Sequence, residues 1–240
     1  MNIFITGASS GLGLCLVKEF LSHGNEVCGI GRREFSYESL NADLRQRFTY
    51  YQCDISKEDQ VRDTFQNLAN VDYVPDIVVF CAGSATDDNT EGRFCLNRYK
   101  ENFRINLFGG LCWLELFLPC FLKRNRGVFA GISSMSVYRE NHINRIGYSA
   151  SRCAMNKTFE NLRLEYLGTG VEFTTFTLGR LQERSGFIGI SYAKAACVIV
   201  KMLSNGKYSK KVDIPFVQYL LTRMAQLIPD WLFKKFLMSK

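Results

Sequence analysis

The octet Thr6-Gly7-Ala8-Ser9-Ser10-Gly11-Leu12-Gly13 follows directly on the apolar run Ile3-Phe4-Ile5, and no other stretch restricts the fold as strongly. A strand that ends at Thr6 and passes at once into a helix leaves the first N–H groups of that helix unpaired at the carboxyl edge of a sheet. Phosphate binds at such an edge. Gly7 permits the tight turn, Gly11 lets a pyrophosphate reach the backbone with no Cβ in the way, and Gly13 lets helix and strand pack closely. Ser9 and Ser10 add hydroxyl donors, and Leu12 belongs to the same binding segment. Glycines at a helix start also serve structure alone; their place at the first strand-to-helix turn is what favours a dinucleotide.

The pattern repeats downstream. Short apolar runs predict strands at Ile3–Thr6, Glu26–Ile30, Thr49–Cys53, Ile77–Cys81, Val128–Ile132 and Glu172–Thr177. Helical stretches lie between most of them, at Leu12–His23, Lys57–Ala69, Leu96–Lys123 and Tyr148–Leu167. Strand and helix in alternation require right-handed crossovers and a parallel sheet covered on both faces, which is a doubly wound α/β fold. The most apolar helical part, Phe108–Leu122, contains Glu115 and Pro119 and is shorter than the roughly 20 residues of a bilayer span; it is expected to be a core or subunit-interface helix.

With no linker, repeat or low-complexity tract in 240 residues, one domain is expected. The nine cysteines include no Cys-x-x-Cys pair and lie near no histidine cluster, so buried thiols fit better than disulfides or a metal site. No export-type leader pattern opens the chain, and a cytoplasmic location is expected. Of the net charge of +7, residues 201–240 hold eight basic residues against Asp213 and Asp230, leaving +6 in that segment. The body is close to neutral, which argues against nucleic acid as a partner.

The turn resembles the short-chain dehydrogenase/reductase family, whose signature is Thr-Gly-x-x-x-Gly-x-Gly. The resemblance implies a Rossmann-type doubly wound sheet and a nicotinamide cofactor. Where the second strand should meet the adenosine ribose, an acidic side chain would suit the 2′-hydroxyl of NAD. This chain has Arg32 and Arg33 instead, and guanidinium groups suit a 2′-phosphate. NADP(H) is therefore expected ahead of NAD(H), the bland alternative being a solvated basic loop. "CDIS" matches the family's Asp-Ile/Val, so the resemblance places Asp54 and Ile55 at the adenine. "FCAG" resembles Asn-Asn-Ala-Gly; it keeps Ala82 and Gly83 and substitutes Cys81 as the cofactor floor.

Tyr148 and Arg152 stand four residues apart, one turn of a helix. The family has Tyr-x-x-x-Lys there. A phenol titrates at about 10 and works as an acid/base near neutrality only when a cation favours its phenolate. Arg152 can supply that charge and contact the nicotinamide ribose, but arginine does not shed a proton. The resemblance assigns the substrate-orienting hydroxyl to Ser134, with Ser136 as the alternative, and a water-holding role to Asn106 in "RINLFGG". Tyr148 would be the acid/base. After the sixth strand, "LGRLQE" lacks the family's proline and threonine, leaving Gly179 and Leu181 as backbone neighbours of the cofactor. The connection "QERSGFIGISYA" leaves little room for a lid over the substrate.

Residues 1–215 thus form the NADP-binding domain, and 216–240 a basic amphipathic extension of it, two helices broken at Pro229. Its apolar side chains include Phe216, Leu220, Met224, Leu227, Trp231, Phe236 and Leu237. Such an extension suits either an anionic membrane surface or a subunit contact. The ending resembles that of family members that reduce lipid-linked intermediates. The expected activity is hydride transfer between NADP(H) and a carbonyl or secondary alcohol on a small-molecule, sugar or lipid-linked substrate. The expected assembly is a homodimer or homotetramer, cytoplasmic or peripheral at the inner face of the membrane. A different class remains open: an NADP(H)-binding regulatory or scaffold protein whose chemistry has decayed, as Cys81, Arg152, Leu178 and Glu183 would allow.

Overall fold

The computed structural model describes residues 1–140, 142–183, 189–206, 208 and 211–238, with the side chains of 236–238 outside that description. The seven principal strands, all parallel, are β1 (Asn2–Thr6), β2 (Glu26–Gly31), β3 (Phe48–Gln52), β4 (Ile77–Phe80), β5 (Gly127–Ser134), β6 (Val171–Leu178) and β7 (Lys211–Ile214). They run β3-β2-β1-β4-β5-β6-β7 across one sheet. The chain reverses its direction of winding between β1 and β4, and in such sheets the crevice outside the carboxyl ends at that reversal is where ligands bind.

Alternation along β1 sends Ile3 and Ile5 to one face and Phe4 to the other. On the first face lie α1 (Gly11–Ser22), through Leu12, Leu16, Val17 and Phe20, and α5 (Tyr192–Ser204), through Ala195, Ala196, Ile199 and Leu203. Opposite lie α2 (Glu58–Ala69), α3 (Leu96–Lys123) and α4 (Ile146–Glu165). Phe4 meets the Trp113 ring at 4.5 Å and Phe117 at 5.1 Å. Two further helices, α6 (Phe216–Ala225) and α7 (Asp230–Met238), follow β7 with Pro229 between them, as expected.

Six strands fall where the apolar runs place them. β7 is an addition, with only Ile214 buried. α3 is also longer than expected: its 28 residues reach the length and composition of a membrane span, yet Trp113, Phe117 and Phe121 are fully buried against the sheet. It is a core helix, interrupted by a π turn at Arg104–Phe108. All nine cysteines are free thiols. Residues 184–188 of the short connection read as leaving little lid lie outside the described residues, as do Lys207, Lys210 and Lys240 and the Phe236 and Leu237 side chains.

Candidate active site

The β1–α1 turn is built by omission of side chains. Gly7 has φ +73°, where side chains are disfavoured, and a Cβ on it would stand 2.7 Å from Ala82 Cα. A Cβ on Gly13 would run into the Gly7 carbonyl oxygen, so the helix rests directly on the turn. The Ala8 N–H donates to the Ile30 carbonyl (3.0 Å), tying the turn to β2. The Thr6 hydroxyl accepts from the N–H groups of both Cys81 (3.1 Å) and Ala82 (3.0 Å), tying β1 to the segment after β4. Substitution at Cys81 thus leaves the floor anchored through main chain. Burial pushes the Cys81 thiol up to about 12 against the opposing effect of the Arg152 cation, and it stays neutral.

The cleft above this turn has a volume of about 420 Å³. Its wall includes Gly7, Ser9, Ser10, Leu12, Gly13, Arg32, Arg33, Asp54, Ile55, Cys81, Ala82 and Gly83, twelve of the residues expected to bind cofactor. Ser10 precedes α1 without capping it through its side chain. Its Oγ instead accepts from the Arg33 guanidinium at 2.6 Å. The Tyr50 hydroxyl donates to the Arg33 carbonyl and Gln52 Nε2 to the Arg32 carbonyl (3.1 Å), so β3 holds the main chain that carries both arginines. Neither arginine has an ion pair among the described residues. Asp54 Oδ1 accepts from the Ser56 N–H (3.0 Å) and hydroxyl (2.7 Å), which fixes its own turn. A glycine cradle, an uncapped helix start and two unpaired cations fit a dinucleotide phosphate.

Around Gly83 the construction changes to side chains reaching in from separate segments. Arg152, buried on α4, donates from Nη1 to the Ile132 carbonyl at 2.8 Å, two residues before Ser134. Its guanidinium lies 5.5 Å from the Tyr148 ring centroid and close enough to Gly83 that a Cβ there would strike Nη2. The Arg152 Nε is buried without a partner among the described residues. Tyr148 is half-buried near the start of α4. Ser134 ends β5, and its Oγ accepts from the Ser136 N–H at 3.2 Å, leaving its own O–H to donate. The Ser136 Oγ is buried and has no partner among the described residues.

Asn106 sits in the π turn of α3 with both amide donors and its Oδ1 engaged. Oδ1 accepts from the Ser84 N–H (2.7 Å), and Nδ2 donates to the Ser84 carbonyl and to Ser151 Oγ (2.9 Å each). It clamps the Gly83–Ser84 segment to the helix that carries Tyr148. Water-holding at Asn106 would therefore fall to main chain, and a π turn, which departs from the regular i−4 pairing, is a common feature of functional sites.

Two participants have no signal in the sequence. Asp88 is fully buried in the segment after β4. Its carboxylate accepts from the N–H of Ile146 (2.9 Å) and of Gly147, capping α4 immediately before Tyr148. Gln218 of α6 is likewise buried, and its Oε1 accepts from the Arg180 N–H at 2.9 Å. A Cβ on Gly179 would collide with that oxygen. Gly179 thus makes room for Gln218, and neither it nor Leu181 lines the cleft; Gly11 also falls outside the wall, as do Asn106, Ser134, Tyr148 and Arg152 around its Gly83 end.

A family model for short chain dehydrogenases matches residues 1–184. An uncharacterized oxidoreductase of Myxococcus xanthus is 27% identical over 238 residues, covering 95% of this chain and 93% of its own. A serine 3-dehydrogenase of Agrobacterium fabrum is 28% identical over 178 residues, covering 74% and 71% respectively. Among solved structures, the closed form of a serine dehydrogenase complexed with NADP+ superposes with a TM-score of 0.81 at 19% identity, covering 91% of this chain and 96% of that one. At that identity the likeness concerns the fold.

Proposed function

The chain belongs to the short-chain dehydrogenase family, and from that premise we propose an NADP(H)-dependent oxidoreductase that works on a carbonyl or the corresponding secondary alcohol. The observation that carries this reading is the position of Arg152, whose guanidinium touches Gly83 of the cleft wall, the strand end leading to Ser134, and the Tyr148 ring. Gly7 to Gly13 would hold the diphosphate, Arg32 and Arg33 the 2′-phosphate, Asp54 and Ile55 the adenine, and Arg152 the nicotinamide ribose.

A nicotinamide held there would supply, or in reverse receive, the hydride at the carbonyl carbon. Tyr148 gives its phenolic proton to the carbonyl oxygen, so that ketone, hydride and proton together make the alcohol; oxidation returns the proton to Tyr148. Ser134 donates its hydroxyl to the same oxygen and stabilises the developing negative charge. Arg152 contributes fixed positive charge. Because a guanidinium keeps its proton, the proton that replenishes Tyr148 travels by a route that bypasses residue 152.

Lipid-linked or sugar carbonyls are the preferred substrate class, supported by the exposed apolar surface of α6 and α7. A homodimer or homotetramer at the inner face of the membrane accompanies that reading. Serine, the substrate in the Agrobacterium relative's name, is the comparison substrate. The test follows NADPH consumption, or NADP+ reduction, over a panel of both classes. Tyr148→Phe should lower kcat about 10²- to 10⁴-fold while NADPH affinity stays within about twofold, because a phenol lost from the reacting end leaves the phosphate cradle intact. Arg152, which keeps its proton where the family has a lysine, favours the rival reading of a cofactor-binding protein without turnover. NADPH binding with no turnover on any substrate would establish it.

A further inference from the structure

Helix α6 is inside out. At 100° per residue, Phe216, Val217, Leu220, Leu221 and Met224 share one face, and all five are exposed. The opposite face, turned towards the protein, carries Gln218, Thr222 and Ala225. Polar contacts fix this orientation: Gln218 accepts from Arg180, Tyr219 packs on the Tyr138 ring at 5.4 Å, and just past the helix Gln226 Nε2 donates to the Tyr138 carbonyl at 2.7 Å. Beyond them, Arg139 pairs with Asp230 at 2.8 Å and lies over the Phe233 ring. The apolar strip continues outward through Leu227, 85% exposed, and Trp231, 65% exposed. A continuous apolar surface of this kind on a polar-anchored helix marks a contact site.

The charge around the strip identifies the partner. Arg223, Lys234 and Lys235 are exposed beside it. The two acids of the segment are already engaged, Asp213 by the Tyr138 hydroxyl at 2.7 Å and Asp230 by Arg139. A second copy of this chain, meeting the patch about a two-fold axis, would bring two net-positive patches together. Anionic lipid headgroups supply the opposite charge while their acyl boundary takes the apolar side chains.

We infer that α6 and α7 form a docking surface for an anionic bilayer, with Phe216, Leu220, Met224 and Trp231 entering the interface and Lys234 and Lys235 on the headgroups. The same two helices hold Tyr138–Arg139 and Gly179–Arg180, the segments that follow the carboxyl ends of β5 and β6. The docked protein therefore presents the carboxyl edge of its sheet near the lipid. Only the use of that edge for catalysis rests on the oxidoreductase reading; the docking and the orientation do not.

The experiment is flotation of the full chain with vesicles of phosphatidylcholine alone and of phosphatidylcholine and phosphatidylglycerol in equal parts, at low and high salt. The wild type should float with the anionic vesicles only, less so at high salt, with the Trp231 emission moving to the blue. Leu220→Asp with Met224→Asp should weaken partitioning about tenfold or more, and Lys234→Glu with Lys235→Glu by a similar factor. All four positions carry exposed or solvent-facing side chains, so melting temperature should be unchanged. Absence of binding, or equal binding to both vesicle types, would overturn the inference. So would a lipid-free oligomer that Leu220→Asp with Met224→Asp dissociates, since the face would then be a subunit contact. Because none of these readouts uses turnover, an inactive protein that docks refutes the enzymatic reading alone.

Discussion

At the Gly7–Gly13 turn the chain makes room by leaving side chains out, whereas around Tyr148 it makes contact through side chains of three segments: Asp88 from the stretch after β4, Asn106 from α3, and Ser151 and Arg152 from α4 itself. The first half of the site is main chain meeting main chain and cannot yield to an added atom. The second is a network of replaceable groups, each with a conservative substitute. The difference predicts how each half fails. Additions should break the nucleotide half through folding and affinity together, and deletions should break the catalytic half through rate.

The largest effect is expected at Gly13→Ala. Its Cβ would meet the Gly7 carbonyl, and no rotamer can relieve a contact between backbones. Thermal unfolding should show a loss of about 3 kcal/mol, the upper range for overpacking, with NADPH affinity falling in parallel. A variant that kept both would show that the turn has slack, and the contrast between the halves would collapse.

Asp88→Ala comes next. It strips the acceptor from two N–H groups at the start of α4, at a cost of about 2 kcal/mol in stability. Asp88 acts through Tyr148's helix, so kcat should fall about tenfold with NADPH affinity unchanged, and Asp88→Asn, which keeps one acceptor oxygen, should recover part of the rate. Stability lost without any change in kcat would make Asp88 purely structural.

Arg33→Ala probes the nucleotide half by deletion, where the contrast predicts selectivity loss without collapse. Removing one charge-assisted phosphate contact should lower the preference for NADPH over NADH about tenfold, with kcat/KM for NADH little changed. Equal loss with both cofactors would mean that Arg33 matters through its bond to Ser10.

Legibility in the sequence follows the same division. Five of the six expected strands are legible as short, largely buried apolar runs, and the edge strand β3 is legible through its aromatic residues although only Phe48 is buried; β7 is not, since Lys-Val-Asp-Ile has one buried residue and no such run. Gly7, Gly11 and Gly13 were visible because backbone demands are local and only glycine meets them. Asp88 could not be found that way: it lies 58 residues from the N–H it caps, and nothing near it in the chain differs from a loop aspartate. The apolar and basic residues of 216–240 were legible as a composition, but not the direction each face points, which depends on Gln218 finding a partner 38 residues upstream.

Gly179 is where the two principles meet, and it carries the smallest effect and the finest test. Read by resemblance it is a backbone neighbour of the cofactor; in the structure its missing Cβ makes space for Gln218 Oε1. Gln218→Ala removes that oxygen and strands the Arg180 N–H, costing about 1 kcal/mol. Gly179→Ala alone displaces the glutamine and should cost a similar amount. If the space serves Gln218, the second substitution finds the damage already done, and a double-mutant cycle by thermal unfolding should show coupling of about 1 kcal/mol. If the space serves the nucleotide, Gly179→Ala should weaken NADPH binding whatever residue stands at 218, and the two costs should simply add. Additivity would return Gly179 to the nucleotide half; coupling would assign it to the latch that joins α6 to the catalytic edge.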